Sequence, residues 1–168
     1  MESDHVDEIL SQWNRERPDV DVSGMAVIGR LTRLSKVIQN RLNTVFAEHD
    51  LEFWEFDVLA TLMRNGSDQQ LTPGQLLKSM MLTSGAMTNR IDRLEKRGYV
   101  DRVRGRQVLV TLTAKGLAKA EGALVDHAAN ELSLIQSLDD TQRAQLIELL
   151  TILQHAIMSE TDLGPADP

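Results

Sequence analysis

The sequence contains no cysteine among its 168 residues, and only 4% of its residues are aromatic. The first absence excludes a disulfide framework, a cysteine-ligated zinc site and a thiol-based redox sensor. A hydrophobic share of 42% with so few rings is typical of a helix-rich globular protein with an aliphatic core. No apolar run is long enough to cross a bilayer, and the first residues are acidic where a secretory signal is basic. We therefore expect a cytoplasmic protein.

The sequence motifs of the common enzyme classes are also missing. The four histidines stand singly without a partner at metal-site spacing, and there is no glycine-rich phosphate loop or nucleophile elbow. The segment Thr83-Ser84-Gly85 has the composition of a helix start and shows no base for a catalytic serine. The sequence thus predicts no catalytic residue, no metal and no cofactor. An enzyme would need a cluster that only the fold could assemble.

Positive charge is scarce overall, since the net charge is −7, but it is concentrated in one stretch. Residues 83–106 include seven basic and three acidic residues, a net charge of +4, which leaves −11 for the rest of the chain. A basic stretch on an acidic protein is typical of a surface that binds nucleic-acid phosphates. Charge alone leaves a solvated basic helix face open as the alternative.

Apolar residues at helical spacing predict seven helices, and two strand-like segments lie between the fifth and the sixth. The predicted helices are a short one before Pro18, one from Asp21 or Ser23 to about Glu48, 51–64, 72 to about 81, 83–98, one after Thr113 and one from Asp139 or Asp140. The predicted strands are 99–103 and 107–112. A capping box of Thr72 with Gln75 begins the fourth helix.

The order of these elements, with three helices followed by a two-stranded ribbon, indicates a mostly α protein with a winged helix-turn-helix. The flanking helices cannot bury their apolar faces on so small a unit, which favours a dimerisation layer. We therefore divide the chain into N-terminal dimerisation helices (1–50), a winged helix-turn-helix lobe with a two-stranded wing (51–113), C-terminal dimerisation helices (114–160) and a frayed tail (161–168).

The fifth predicted helix has one apolar and one polar side. Met87, Ile91 and Leu94 share the apolar side, which we expect to anchor the helix in the core. On the polar side, asparagine can pair with adenine and arginine with guanine, while Gly85 lets the backbone approach a phosphate. The predicted DNA contacts are Thr72, Ser84, Gly85, Thr88, Asn89, Arg93, Lys96, Arg104 and Arg106.

Three runs of sequence, at residues 71–77, 83–100 and 108–116, resemble the MarR family of regulators. The order of the surrounding helices agrees with that family from about residue 22 to 158. The resemblance implies a homodimer with interlocking terminal helices, two winged helices on a palindromic operator, and release from DNA by a small anionic or phenolic ligand.

The wing departs from the family pattern. Family members usually have a longer tip with an Asp-Arg-Arg-like segment that reaches the minor groove, whereas here Arg104-Gly105-Arg106 leads directly into the second strand. Either the wing is short or a tip is absent from the sequence. Phosphate contacts by Arg104 and Arg106 remain possible, and a minor-groove contact is left open.

Residues 12–18 are similar to the PecS and urate-responsive branch of this family. In that branch a tryptophan, an aspartate and an arginine form a ligand pocket, and the matching residues are Trp13, Asp57 and Arg90. A flat anionic ring could stack on the tryptophan and pair with the arginine. Each residue also has a plainer interpretation: Trp13 in helix packing, Asp57 solvated or paired locally, and Arg90 on a phosphate.

Three hypotheses remain. The leading one is a ligand-responsive DNA-binding transcriptional regulator, a repressor. The second is a winged-helix module for protein–protein interaction without a ligand response, and the third is an enzyme.

Overall fold

The computed structural model describes residues 3–65, 70–80 and 84–162. Within these ranges the chain forms seven α-helices and three β-strands. The helices are α1 (His5–Glu16), α2 (Ser23–Glu48), α3 (Phe53–Arg64), α4 (Pro73–Met80), α5 (Ser84–Lys96), α6 (Ala114–Leu134) and α7 (Asp140–Asp162). The strands are β1 (Gln70–Leu71), β2 (Val100–Arg104) and β3 (Val108–Leu112).

The predicted fold class is confirmed, and the sheet has one strand in addition to the predicted two. The two-stranded wing is the hairpin of β2 and β3, and the sheet gains a third antiparallel strand in the order β1-β3-β2, because Gln70 and Leu71 pair with Thr111 and Val110 of β3. A strand of two residues shows no alternation, so the sequence pattern could not reveal it. The predicted helix start at Thr83 and part of the predicted frayed tail, residues 163–168, lie outside the described residues; residues 161 and 162 end α7.

The wing closes through a three-residue connection. Arg104 is paired with Val108 across the hairpin, and the backbone N–H of Gly105 donates to the carbonyl oxygen of Gln107 at 3.3 Å. Because the strands meet so closely, the tip extends only a few residues beyond the sheet.

Local capping chemistry fixes the ends of the helices in the lobe. The Thr72 N–H donates to Gln75 Oε1 at 2.8 Å and the Gln75 N–H donates to Thr72 Oγ1 at 3.2 Å, which confirms the predicted capping box. Gly98 has a φ of +70° just after α5, a backbone conformation that ends a helix and favours glycine.

One core lies among the end of α2, α3, α4, α5, the sheet and the first turns of α6. Its largest fully buried side chains include Phe46, Leu59, Leu62, Leu76, Met87, Ile91, Leu94, Val100 and Val110. Gly116 lets α6 approach the chain at Tyr99 closely, because a Cβ at Gly116 would lie 1.9 Å from the Tyr99 carbonyl oxygen. This packing holds the apolar side of α5 and leaves its other side at the surface.

The chain divides into two compact units, residues 1–130 and 131–168. In the first unit α2 exposes several large apolar side chains, among them Ile28 and Leu34 at 51% and 56%. In the second unit α7 does the same, with Leu149 exposed at 64%. None of the described helices combines the length and the apolar character that a membrane crossing requires.

Candidate nucleic-acid interface

The helix α5 has the two sides that the sequence predicts. Met87, Ile91 and Leu94 are buried, whereas Thr88, Asn89, Arg93 and Lys96 are exposed and form what we call the polar face of α5. Ser84 and Gly85 lie in the first turn of the helix; the surroundings of their side chains fall outside the described part of the chain. The polar face thus presents an amide, a hydroxyl and two cations to solvent.

The other predicted contacts lie at the edges of this face. Thr72 precedes α4 and is half-buried, and its hydroxyl also contacts Gln75 Oε1 at 3.0 Å. Arg104 and Arg106 are exposed on either side of Gly105 at the tip of the wing. The wing tip therefore carries two cations without an acidic residue between them.

Arg93 is held by two residues that the sequence analysis did not single out. Its guanidinium pairs with Glu52 Oε1, and its Cζ lies 4.6 Å from the centroid of the Trp54 ring. The Trp54 indole N–H donates to Glu52 Oε2 at 2.7 Å. The Cζ of Arg90 lies 5.4 Å from the same ring centroid. The start of α3 thus forms a small platform beneath two arginines of α5.

Arg97, just after α5, joins the end of that helix to the start of α3. It donates to Glu55 Oε2 at 2.7 Å and to Asp50 Oδ2 at 2.6 Å, and Glu55 is fully buried. Burial opposes the charged form of Arg97, but its bond to Glu55 and the nearby negative charges of Glu55 and Asp50 raise its pKa overall. Arg97 therefore has a structural role in orienting α5.

The strand β2 is joined to α5 by a second ion-paired arginine. Arg102 pairs with both Asp92 and Glu95 of the helix. Three of the seven cations in the basic stretch, Arg93, Arg97 and Arg102, are thus paired within the chain. The other four, Arg90, Lys96, Arg104 and Arg106, form no ion pair with any residue that the structure describes.

The residues predicted to bind a ligand lie on three different helices of the first unit. Asp57 of α3 is half-buried, and burial raises the pKa of its carboxyl above the ordinary value although the charges of Arg64 and Arg90 lower it. Trp13 of α1 is 45% exposed. Across the described ranges, no hydrogen bond, ion pair or ring contact joins Trp13 to Asp57 or Arg90. Of the three residues, the structure brings only Asp57 and Arg90 close enough for their charges to interact.

Comparison with known proteins identifies the family. The model of the MarR family matches residues 49–108, which contain α3, α4, α5 and the first half of the wing. The chain is also 37% identical over 149 residues to the HTH-type transcriptional regulator PecS of Dickeya dadantii (strain 3937), a match that covers 86% of this chain and 90% of PecS. The chain belongs to the MarR family.

Solved structures of the MarR family share the fold. A crystal structure of a mutant MarR from E. coli in complex with operator DNA has a TM-score of 0.67 and 27% identity, and covers 80% of this chain and 99% of that chain. The structure of Sco5413, a MarR family transcriptional regulator from Streptomyces coelicolor, has a TM-score of 0.71 at 23% identity. The match covers 83% of this chain and 98% of Sco5413. The winged helix and its flanking helices are thus those of this family.

Proposed function

We propose that this MarR-family chain is a cytoplasmic transcriptional regulator that binds double-stranded DNA and is not an enzyme. The observation that carries the proposal is the polar face of α5, exposed on a helix whose opposite side is buried in the core. A helix-turn-helix protein inserts this helix into the major groove. The structural likeness to E. coli MarR in complex with operator DNA supports the same use here. A protein that covers an operator excludes others from it, so we propose repression as its mode.

The proposed active form is a homodimer on a palindromic site. A single chain leaves apolar side chains such as Ile28, Leu34 and Leu149 more than half exposed, and burying the rest of each against a second copy would gain roughly 1–2 kcal/mol. Two copies related by a twofold axis would place their α5 helices in successive major grooves about 34 Å apart. The dimer thus explains both the exposed apolar faces and the need for two half-sites.

Each predicted contact has a proposed role. Asn89 and Arg93 would contact adenine and guanine edges, and Thr88 would bind a base edge with its hydroxyl. The remaining residues would hold the phosphate backbone, with the positive ends of α4 and α5 adding to their charge. This second group consists of Thr72, Ser84, Gly85, Lys96, Arg104 and Arg106.

The salt dependence of binding tests this proposal. We expect the affinity for a palindrome selected from random duplexes to fall steeply with salt, with a logarithmic slope of about −0.9 for each phosphate contact. Lys96→Ala should weaken all duplexes equally and reduce the slope by about 2 for the dimer. Lys36→Ala, on α2, is the matched control and should leave the slope unchanged. A slope near zero, or equal slopes for Lys96→Ala and the wild type, would contradict the proposed DNA surface.

We further propose that a small aromatic anion binds near Trp13, Asp57 and Arg90 and weakens DNA binding. Arg90 supplies a positive charge that no described acid pairs with, beside a half-buried carboxyl, and Trp13 supplies an exposed ring. A ligand can act only if it binds the conformation that cannot bind DNA more tightly than the conformation that can. A difference of about 3 kcal/mol between these two affinities would weaken operator binding more than a hundredfold.

Titration with salicylate and urate tests the ligand proposal. Either anion is expected to raise the melting temperature and release the operator, and Asp57→Asn should bind it more tightly because a repelling charge is removed. Burial raises the Asp57 pKa, so its ionised form costs stability once the pH exceeds that pKa. Asp57→Asn should therefore raise the melting temperature at pH 7 and not at pH 3. If neither anion shifts melting or DNA affinity, the proposed ligand class is wrong.

A further inference from the structure

Glu52, at the start of α3, contacts the polar face of α5 from outside that helix. Its Oε1 accepts from Arg93, and its Oε2 accepts from the Trp54 indole N–H at 2.7 Å. The hydrogen bonds from Trp54 and Arg93 lower the pKa of Glu52, so the carboxylate is ionised at neutral pH. A negative charge therefore lies against the surface that would face DNA phosphates.

The contact with Glu52 competes with a contact between Arg93 and DNA. Arg93 donates one N–H, from Nη2, to Glu52 Oε1, and this donor must be released before the whole guanidinium can pair with a guanine edge or a phosphate. A phosphate that approaches Arg93 is also repelled by the charge of Glu52. Both side chains of the pair are about half exposed, at 50% and 57%, so a competing partner from solvent can reach them. The Trp54 ring, 4.6 Å from the Arg93 Cζ, gives the arginine a second hold on the same side.

We infer that Glu52 sets the DNA affinity of this chain by holding Arg93 against Trp54 until DNA displaces the carboxylate. The inference rests on the proposed contact of Arg93 with DNA and adds a competitor within the same subunit. Binding at each half-site then requires the release of one Glu52–Arg93 pair. A duplex that offers Arg93 only a weak contact does not displace the carboxylate. Glu52 is a positioning residue in this scheme and touches no base.

Glu52→Gln is the direct test, because glutamine keeps the size of the side chain and an oxygen for the Trp54 N–H. Releasing two exposed ion pairs per dimer is expected to tighten binding to a selected palindrome about three- to thirtyfold. Glu48→Gln, an exposed acid at the end of α2, is the matched control for a change in net charge. It should tighten binding less than twofold.

A double-mutant cycle separates an action through Arg93 from simple charge repulsion. In an Arg93→Gln background, Glu52→Gln is expected to change DNA affinity less than twofold. The same gain in both backgrounds, or an unchanged or weaker affinity for Glu52→Gln alone, would overturn the inference. If Arg93→Gln leaves DNA affinity unchanged, the proposed base contact of Arg93 fails and the inference fails with it, whereas failure of Glu52→Gln alone leaves that contact standing.

Tryptophan emission gives a readout that needs no DNA. The chain has two tryptophans, so Trp13→Phe leaves Trp54 as the only one. In that background, Glu52→Gln should shift the Trp54 emission of the free protein, and the further change on adding DNA should become smaller. Identical emission of the free protein with and without the Glu52→Gln substitution would show that the carboxylate does not hold this cluster.

Discussion

Replacing Arg97 with methionine is expected to lower the free energy of unfolding by about 3–5 kcal/mol. Glu55 is fully buried, and its Oε2 accepts from Arg97 at 2.7 Å and from the Glu52 backbone N–H at 2.9 Å. Its Oε1 has no hydrogen-bond partner among the described residues, so the carboxylate already lacks part of its solvation. Without Arg97 it would be a buried charge with a single donor. Urea unfolding of the two proteins measures the loss.

Two further variants separate this effect from a loss of packing. Arg97→Met combined with Glu55→Leu removes both charges and is expected to recover most of the stability, because an apolar pair can replace a buried ion pair at little cost. Arg102→Met breaks the ion pairs with Asp92 and Glu95, which are 48% and 39% exposed. Because water can solvate both acids, this variant should lose only about 1 kcal/mol of stability. An Arg97→Met protein as stable as the wild type, or a double variant no more stable than the single one, would show that the pair carries little energy.

Features that depend on neighbouring residues could be predicted from the sequence. The capping box of Thr72 and Gln75 spans three positions, and the apolar side of α5 repeats at three and four positions, so both follow from local pattern. Gly98 ends α5 for the same kind of reason. These signals were sufficient for the helices, the hairpin and the side of α5 that faces solvent.

Features that depend on the packing of α3 against α5 could not be predicted. Arg93 and Glu52 are 41 positions apart, and Arg97 and Asp50 are 47 apart, so no local spacing links them. The sequence presents the basic stretch as one positive surface, whereas the structure neutralises three of its seven cations with acids of this chain. The buried Glu55 was missed for the same reason, because a glutamate in an apolar helix gives no sign of its partner.

Replacing Asn89 with alanine is expected to have a similarly large effect, on DNA recognition. The Asn89 amide is exposed on the polar face of α5, midway along the helix, where a bidentate pair with adenine would contribute about 1–3 kcal/mol of discrimination. Asn89→Ala leaves the buried side of α5 unchanged and is an alanine in a helix, so the fold should be retained. We expect a loss of about 1–3 kcal/mol per half-site in affinity for the selected palindrome.

The affinity of the wild type and of Asn89→Ala for a set of palindromes, each changed at one base pair in both half-sites, tests the central claim most directly. The polar face of α5 predicts that Asn89→Ala loses its preference at one position and keeps it at the others, while Lys96→Ala weakens every duplex alike. If Asn89→Ala retains the full affinity and every base preference of the wild type, this face of α5 does not lie in the groove.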